Sequence, residues 1–256
     1  MKILVAIKRV VDHNVRIRVR PDGTGVETTG VRTSMNPFCK HAVEAAVQLA
    51  EAGQGQADVT EIVIVSIGPK AATDVILTAL AMGAHRGILV ETDAELETLA
   101  IAKLLAKVVE EEQPELVLLG KQAVDDDSNH VGQMLAALTH RPQATFASEI
   151  KIIGQALEVT REIDTGRQTL ALPLPAIVTA DLRLNTPRNA ALPMVMKARA
   201  KPLAVRPVAD FGVDLSPRLS IEKISPPAER VAGKTVASVA DLAAFIAADV
   251  SQMEAL

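Results

Sequence analysis

PELVLLGKQAVDDDSNHVGQMLAALTH, residues 114 to 140, joins an apolar run (Leu116, Val117, Leu118, Leu119) to a helix-patterned run (Val131, Met134, Leu135, Leu138) through a turn that opens on Gly120. A short continuous apolar run suits a strand covered on both faces, and apolar positions three and four residues apart suit a helix packed on one side. A strand that ends in glycine and leads into a helix is a common anion-binding junction in α/β sheets, because the first N–H groups of a helix lack partners. This junction carries Asp125, Asp126 and Asp127 in a row, which conflicts with a site for phosphate alone.

The same unit recurs upstream. HRGILVET (85–92) leads into ELETLAIAKLLAKVVEEE (95–112), and TEIVIVSIG (60–68) leads into a helix expected over 71–82. The chain opens on KILVAI (2–7), another buried strand. NPFCKHAVEAAVQLAEAG (36–53) carries helix punctuation, with Asn36 as N-cap, Pro37 at the first helical position and Gly53 past the end. Between these, VRIRVR (15–20) followed by PDGTG alternates and then turns, which predicts a hairpin arm with Val15, Ile17 and Val19 inward. Arg16, Arg18 and Arg20 then form a solvated outer face.

After Pro142 the pattern changes. TFASEIKIIG, ALEVTREID and QTLALPLPAIVTAD are extended runs without intervening helices, which predicts an antiparallel patch on the same sheet. LRLNTPRNAALPMVMKARAKP (182–202) has three prolines and no clean period, so no regular element is expected there. A last helix is expected from Ser238 to about residue 255, opened by a Ser-x-x-Asp capping pattern. Alternation of strands and helices indicates an α/β fold: a doubly wound, mostly parallel sheet with helices on both faces, an antiparallel extension, and a C-terminal arm and helix. The expected division is a nucleotide-binding domain over 1–182 and an arm with its C-terminal extension over 183–256.

Composition narrows the function. With 27 basic and 31 acidic residues among 256, the chain lacks the charge of a general nucleic-acid binder. Four phenylalanines are its only aromatic residues, so any ring stacking comes from one of four positions, which singles out Phe38. A single cysteine, Cys39, excludes an internal disulfide. No apolar run is long enough to span a membrane, and the N-terminus is too quickly charged for a signal peptide. A cytoplasmic location is therefore expected, or the mitochondrial matrix if a presequence has been removed.

The histidines do not fall at zinc-ligand spacing, and neither a Gly-x-Ser-x-Gly elbow nor a phosphate-binding Gly-x-x-x-x-Gly-Lys loop is present. No catalytic residues and no metal ligands are assigned. What remains converges on the carboxyl ends of the predicted parallel strands: Ala6 to Lys8, Ser66 to Gly68 and Gly120 to Asn129, with the Asn36 helix start aimed at the same crevice. Small residues at Ala6, Gly68 and Gly120 leave room for a ligand near the backbone.

SMNPFC, TALAMGAHRGI, LVLLGKQAVDDDSN, TFAS, REID and IVTADLRLNTPR together make the chain resemble the β subunit of electron transfer flavoprotein, from the first strand to about residue 230. The resemblance implies a heterodimer with an α subunit that holds most of one redox-active FAD, while the β chain buries a structural AMP. It also implies electron flow from acyl-CoA and related dehydrogenases to a membrane electron transfer flavoprotein-quinone oxidoreductase, with no catalytic residues in this chain. By motif, the AMP contacts fall on Ala6, on Asn36, Pro37, Phe38 and Cys39, and on Ile67. They continue through Gly120, Lys121, Gln122, Ala123, Val124 and Asp125, then Asp126, Asp127, Ser128, Asn129, His130 and Val131. Phe38 and His13 fall near the FAD. His13 stands where many relatives have tyrosine, and His130-Val131 where they often have Gln-Thr, which removes a hydroxyl from the phosphate side.

Between Leu182 and Arg206 lie six basic residues and no acidic one, the composition of a solvated linker or of a docking arm for an acidic partner. The resemblance favours docking, with Leu192 as apolar anchor and Arg188, Lys197, Arg199 and Lys201 among the steering charges. Two alternatives stay open: a bifurcating-type β subunit with a second FAD in place of AMP, and a stand-alone adenine-nucleotide protein or hydrolase of similar fold. For the junction, the resemblance eases the conflict, since AMP offers hydroxyls and a base edge besides phosphate. Backbone N–H groups, Ser128 and Asn129 are expected to hold the phosphate. One aspartate should turn to ribose or loop N–H groups, and the others to solvent or to the α subunit.

Overall fold

The computed structural model describes residues 1–52, 58–154, 156–230 and 232–253, the last three as backbone only. Gly53, expected to end the helix that starts at Pro37, lies outside the described residues, as does the end of the C-terminal helix beyond 253. The strands are β1 (Lys2–Ile7), β2 (Arg9–Val11), β3 (Thr33–Met35), β4 (Glu61–Gly68), β5 (Arg86–Glu91) and β6 (Leu116–Gly120), followed by β7 (Gln143–Ile153), β8 (Ala156–Ile163), β9 (Gly166–Pro173), β10 (Ala176–Ala180) and β11 (Leu203–Pro207). The helices are α1 (Pro37–Ala52), α2 (Thr73–Met82), α3 (Thr98–Glu112), α4 (Val131–Thr139), α5 (Leu192–Ala198) and α6 (Val239–Met253).

One nine-stranded sheet runs in the order β11-β5-β4-β1-β6-β10-β7-β8-β9. β1 lies parallel to both β4 and β6, and the parallel pairing extends to β5 and β11 on one side and to β10 and β7 on the other. β8 and β9 add the antiparallel extension. β1 explains why its sequence is apolar without alternation. Ile3, Val5 and Ile7 enter one core with α1 and α2, while Leu4 and Ala6 enter a second core with α3 and α4 on the opposite face. Ile3, Leu4, Leu116 and Leu118 are fully buried, each worth about 1.5–3 kcal/mol of transfer free energy.

The chain divides into two units, one of residues 1–17 and 27–222 and the other of residues 18–26 and 223–256. Residues 183–222 belong to the first. In the second, α6 opens as its sequence predicts: the Asp241 N–H donates to Ser238 Oγ at 3.1 Å. Leu242, Phe245, Ile246 and Val250 are exposed on α6 at helical spacing.

Three expectations need correction. The arm at 15–20 is not a strand pair, since only Val19 and Val26 bridge, and Ile17 is 51 % exposed. Alternation there has no sheet face to bury against, so the pattern alone does not produce a strand. The proline-rich segment does contain regular structure. Pro193 sits in the first turn of α5, where an N–H is not needed, and β11 forms one edge of the sheet beside β5. Asn36 precedes α1, but its side chain does not cap that helix, and where it goes instead builds the site.

Candidate functional site

The loop from Gly120 to His130 is held by side chains from distant parts of the chain. Asn36 Nδ2 donates to the Gln122 carbonyl at 2.8 Å, and the Val124 N–H donates to Asn36 Oδ1 at 3.2 Å. Asn36 is almost fully buried, and both ends of its amide serve this crossing, with Nδ2 also donating to Cys39 Sγ in α1 at 3.3 Å. Lys8, just past β1, reaches Asp125 at 2.8 Å and Asp126 at 2.9 Å. Asp126 Oδ1 also accepts the Ser128 N–H at 3.1 Å, and Asp127 accepts a hydrogen bond from the Gln122 amide.

This accounts for the three aspartates. Two neutralise Lys8, and one of those two also shapes the turn, while the third ties the loop to its own start. Asp127 and Asn129 both have φ of 52°, a left-handed conformation that Asp and Asn tolerate better than most residues. The alternation of constrained positions thus selects the residue types as well as the charge. Burial pushes the Asp126 carboxyl up, but the Lys8 ammonium and the Ser128 N–H outweigh it and hold the group below its usual range. Burial likewise pulls Lys8 down, and its bonds to Asp125 and Asp126 reverse that, leaving it above the ordinary lysine value.

A crevice opens at the carboxyl ends of β1, β4 and β6. Of the residues placed there by sequence, Ala6, Asn36, Cys39 and Ile67 line it, as do Gly120, Lys121, Gln122 and Ala123, and then Asp126, Ser128, Asn129, His130 and Val131. Pro37, Phe38, Val124, Asp125 and Asp127 do not line it. Three lining side chains absent from the predicted set, Thr98, Ile101 and Leu105, come from α3. Their three- and four-residue spacing marks one helix face, a signal visible in the sequence yet shared with any packed helix. Ile7, Lys8, Val65, Leu119 and Gly132 complete the lining.

Gly120 and Gly132 each have a packing reason to be small. A Cβ on Gly120 would stand 2.7 Å from Phe38 Cβ and 2.9 Å from the Phe38 carbonyl carbon, so the residue is small because α1 starts against it. One on Gly132 would stand 2.4 Å from Thr179 Cγ2, which lets α4 approach β10. Gly68 has φ of 153° and does not line the crevice.

On the other side of Gly120, Lys121 lies between two rings, its Nζ 5.3 Å from the centroid of Phe38 and 5.5 Å from that of Phe146. It pairs with Asp181 at 2.7 Å. Burial pushes the Asp181 carboxyl up, but Lys121 and the Arg183 N–H hold it below its usual range. His13, expected near a flavin, is exposed in the turn after β2 and lies 3.9 Å from Asp12. The structure does not bring it to the crevice.

The arm residues separate into two groups. Arg188 is committed inside the chain, to Glu44 at 2.9 Å and Glu51 at 2.6 Å, and Lys201 donates to the Leu80 carbonyl at 2.8 Å and to the Ala84 carbonyl at 2.5 Å. Lys197 and Arg199 are exposed. Leu192 is 74 % exposed, and Met194, Val195 and Met196 beside it are exposed as well.

Residues 24–211 match the family model for the electron transfer flavoprotein domain. The chain belongs to the electron transfer flavoprotein family. Over 242 residues it is 57 % identical to the electron transfer flavoprotein subunit beta of Bradyrhizobium diazoefficiens, covering 94 % of this chain and 96 % of that one. The human subunit beta is 52 % identical over 248 residues, covering 95 % and 96 %, and the mitochondrial one of Arabidopsis thaliana 50 % over 244, covering 94 % and 96 %. These full-length matches place the chain among the β subunits of the electron transfer flavoproteins, components of electron transport. No helix among the described residues is long and apolar enough to cross a membrane.

Proposed function

We propose that this chain is the β subunit of a heterodimeric electron transfer flavoprotein that binds AMP structurally in the crevice and takes no catalytic part of its own. The observation that carries the AMP assignment is the donor set of the crevice. His130 precedes α4 without capping it by its side chain, so the first N–H groups of that helix stay unpaired within it and carry its positive end. Val65, Ile67, Ile101 and Leu105 offer an apolar wall for a base, and Asp126 and Asn129 offer acceptors for ribose hydroxyls. Lys8 and Lys121, the two rim lysines, are already paired with carboxylates. A nucleoside monophosphate fits this set, because helix N–H groups suffice for one phosphate without a free cation.

AMP supplies no redox chemistry; its binding would fix the 120–131 loop and, through Gly120, the start of α1. The FAD, held mainly by the α subunit, would carry the electrons between acyl-CoA and related dehydrogenases and a membrane quinone oxidoreductase. Phe38 is the ring of this chain nearest that role, and His13 would approach only in the assembled heterodimer. Exposed Leu192 would enter a dehydrogenase pocket, with Lys197 and Arg199 steering the encounter. Residues 183–256 would then serve as the partner-binding part of the chain, in a bacterial cytoplasm or a mitochondrial matrix.

The test is to express the chain with its α subunit, denature the complex and identify the released nucleotides by chromatography. One FAD and one AMP per heterodimer are expected. Two FAD and no AMP would replace this reading with the bifurcating type, and a folded monomer that turns over adenine nucleotides would replace it with a stand-alone enzyme.

A further inference from the structure

A second concavity opens beside the crevice, sharing Lys121 with it and lined also by Phe146, Arg161, Glu162, Ile163, Asp164, Asp181 and Arg183. Arg161 is its unusual member. Along β8, Leu157 and Val159 are fully buried, and the two-residue period of a strand puts Arg161 next in that row, where the core ends. Its guanidinium carbon lies 5.5 Å from the Phe146 ring centroid. Its Nε is buried and has no hydrogen-bond partner among the described residues. The other cations around this pocket have partners: Lys121 pairs with Asp181 at 2.7 Å, and Arg183 and Arg167 pair with Glu162 at 3.2 and 3.3 Å.

The backbone under the ring is strained where β7 bulges. Phe146 has φ of 61°, costly for a bulky side chain, and its N–H donates to Thr179 Oγ1 at 3.1 Å. At this point β7 is irregular against both neighbours, with register shifts between Ala147 and Glu149 and between Val178 and Ala180. The irregularity puts an aromatic face behind a guanidinium that lacks an acceptor. Such a fork, desolvated on one side and stacked on the other, is built for a carboxylate, which accepts its donors in a bidentate geometry.

Two observations favour a polypeptide as the source of that carboxylate. Ile163, on the rim, is 38 % exposed, which suits a side chain landing on it rather than a small solvated acid. The pocket also adjoins β9, the outermost strand of the sheet and eight residues long, whose edge is open to pairing with another chain. We propose that Arg161 receives an aspartate or glutamate side chain of the α subunit, on a segment that lies over Phe146 and Ile163. This rests on the assignment of the chain as a heterodimer subunit and goes beyond it in naming the anchor.

The test uses the intact heterodimer with Arg161→Gln and Arg161→Lys, its dissociation followed by mass photometry on dilution. Arg161→Gln should raise the subunit Kd at least tenfold. Arg161→Lys should recover part of the loss, because it keeps the charge but not the fork. A photoreactive phenylalanine analogue at Ile163 should cross-link to an α-subunit peptide that contains an acidic residue, and this readout stands even if Arg161→Gln folds poorly. A Kd within twofold of the parent, or cross-links that never fall on such a peptide, would overturn the proposal. Nucleotide release from the same preparations separates the two readings: AMP present with an unchanged Kd sinks the anchor alone, whereas a monomer that never pairs sinks the heterodimer assignment itself.

Discussion

The crevice and the arm treat their polar and apolar groups in opposite ways. Around the crevice, the lysines and the carboxylates that reach across the loop meet partners within the chain, and Asn36 is spent on the loop. On α5 the reverse holds, with Leu192, Met194, Val195 and Met196 left exposed on a short helix. A site for a small ligand can be finished by one chain, because the ligand demands only fixed donors and a shaped wall. A surface for another protein stays unfinished until that protein arrives. Changes in the crevice should therefore cost stability and the proposed nucleotide together, while changes at the exposed residues of α5 should cost neither.

The sharpest way to break the contrast is Asn36→Ala. It removes three hydrogen bonds, to the Gln122 carbonyl, the Val124 N–H and Cys39 Sγ, and strands the first two groups, for an expected loss of about 3 kcal/mol. Urea unfolding checks the stability, and retention of the proposed AMP on gel filtration should fall more than tenfold. Unchanged AMP content would mean that the Asn36 crossing does not shape the nucleotide site. Gly120→Ala comes next, at about 2 kcal/mol, because its methyl would overlap the Phe38 backbone and force the start of α1 to shift. A lower melting temperature with displaced Phe38 signals in NMR is the expected result.

Lys8→Met tests the charge arrangement, with an effect of about 1 kcal/mol or less at neutral pH because the pair is partly solvated. Its pH dependence is more telling. The folded-state pKa of Asp126 is depressed, so its contribution is present above the unfolded carboxylate value of about 3.9 and is lost as pH falls through the folded value. The folded-state pKa of Lys8 is raised, so its contribution is present below about 10.4 and disappears as pH rises through the folded value. In Lys8→Met both limbs should flatten, measured as unfolding free energy below pH 4 and above pH 10. The smallest effect on stability belongs to Leu192→Ala, within about 0.5 kcal/mol. Steady-state reduction by a partner dehydrogenase should nevertheless weaken, and unchanged kinetics would remove Leu192 as the anchor.

Much of the scaffold is legible in the residues because its determinants are local. The apolar runs 2–7, 60–68, 85–92 and 116–120 became strands, and the helix patterns after them became helices within a few residues. The crevice followed, since strand ends in such a sheet share one edge. What was hidden depends on distant partners. Nothing near Lys8 announces Asp125 and Asp126, and nothing near Asn36 announces the Gln122 carbonyl. Alternation at 15–20 looked like a strand, but a strand needs a neighbour, and pairing there is reduced to one bridge. The prolines around α5 concealed a helix because Pro193 falls in its first turn, where a missing N–H costs little.

β11 has a consequence for biosynthesis. It pairs with β5, whose residues leave the ribosome more than a hundred positions earlier. Until residues 203–207 emerge, the nascent chain holds a strand with an apolar centre, Arg86–Glu91, with one edge unpaired. Such an edge invites pairing with other copies, so the interval between β5 and β11 is a window of aggregation risk. A stop codon near residue 200 would keep all of the crevice's lining residues and still leave that window permanently open.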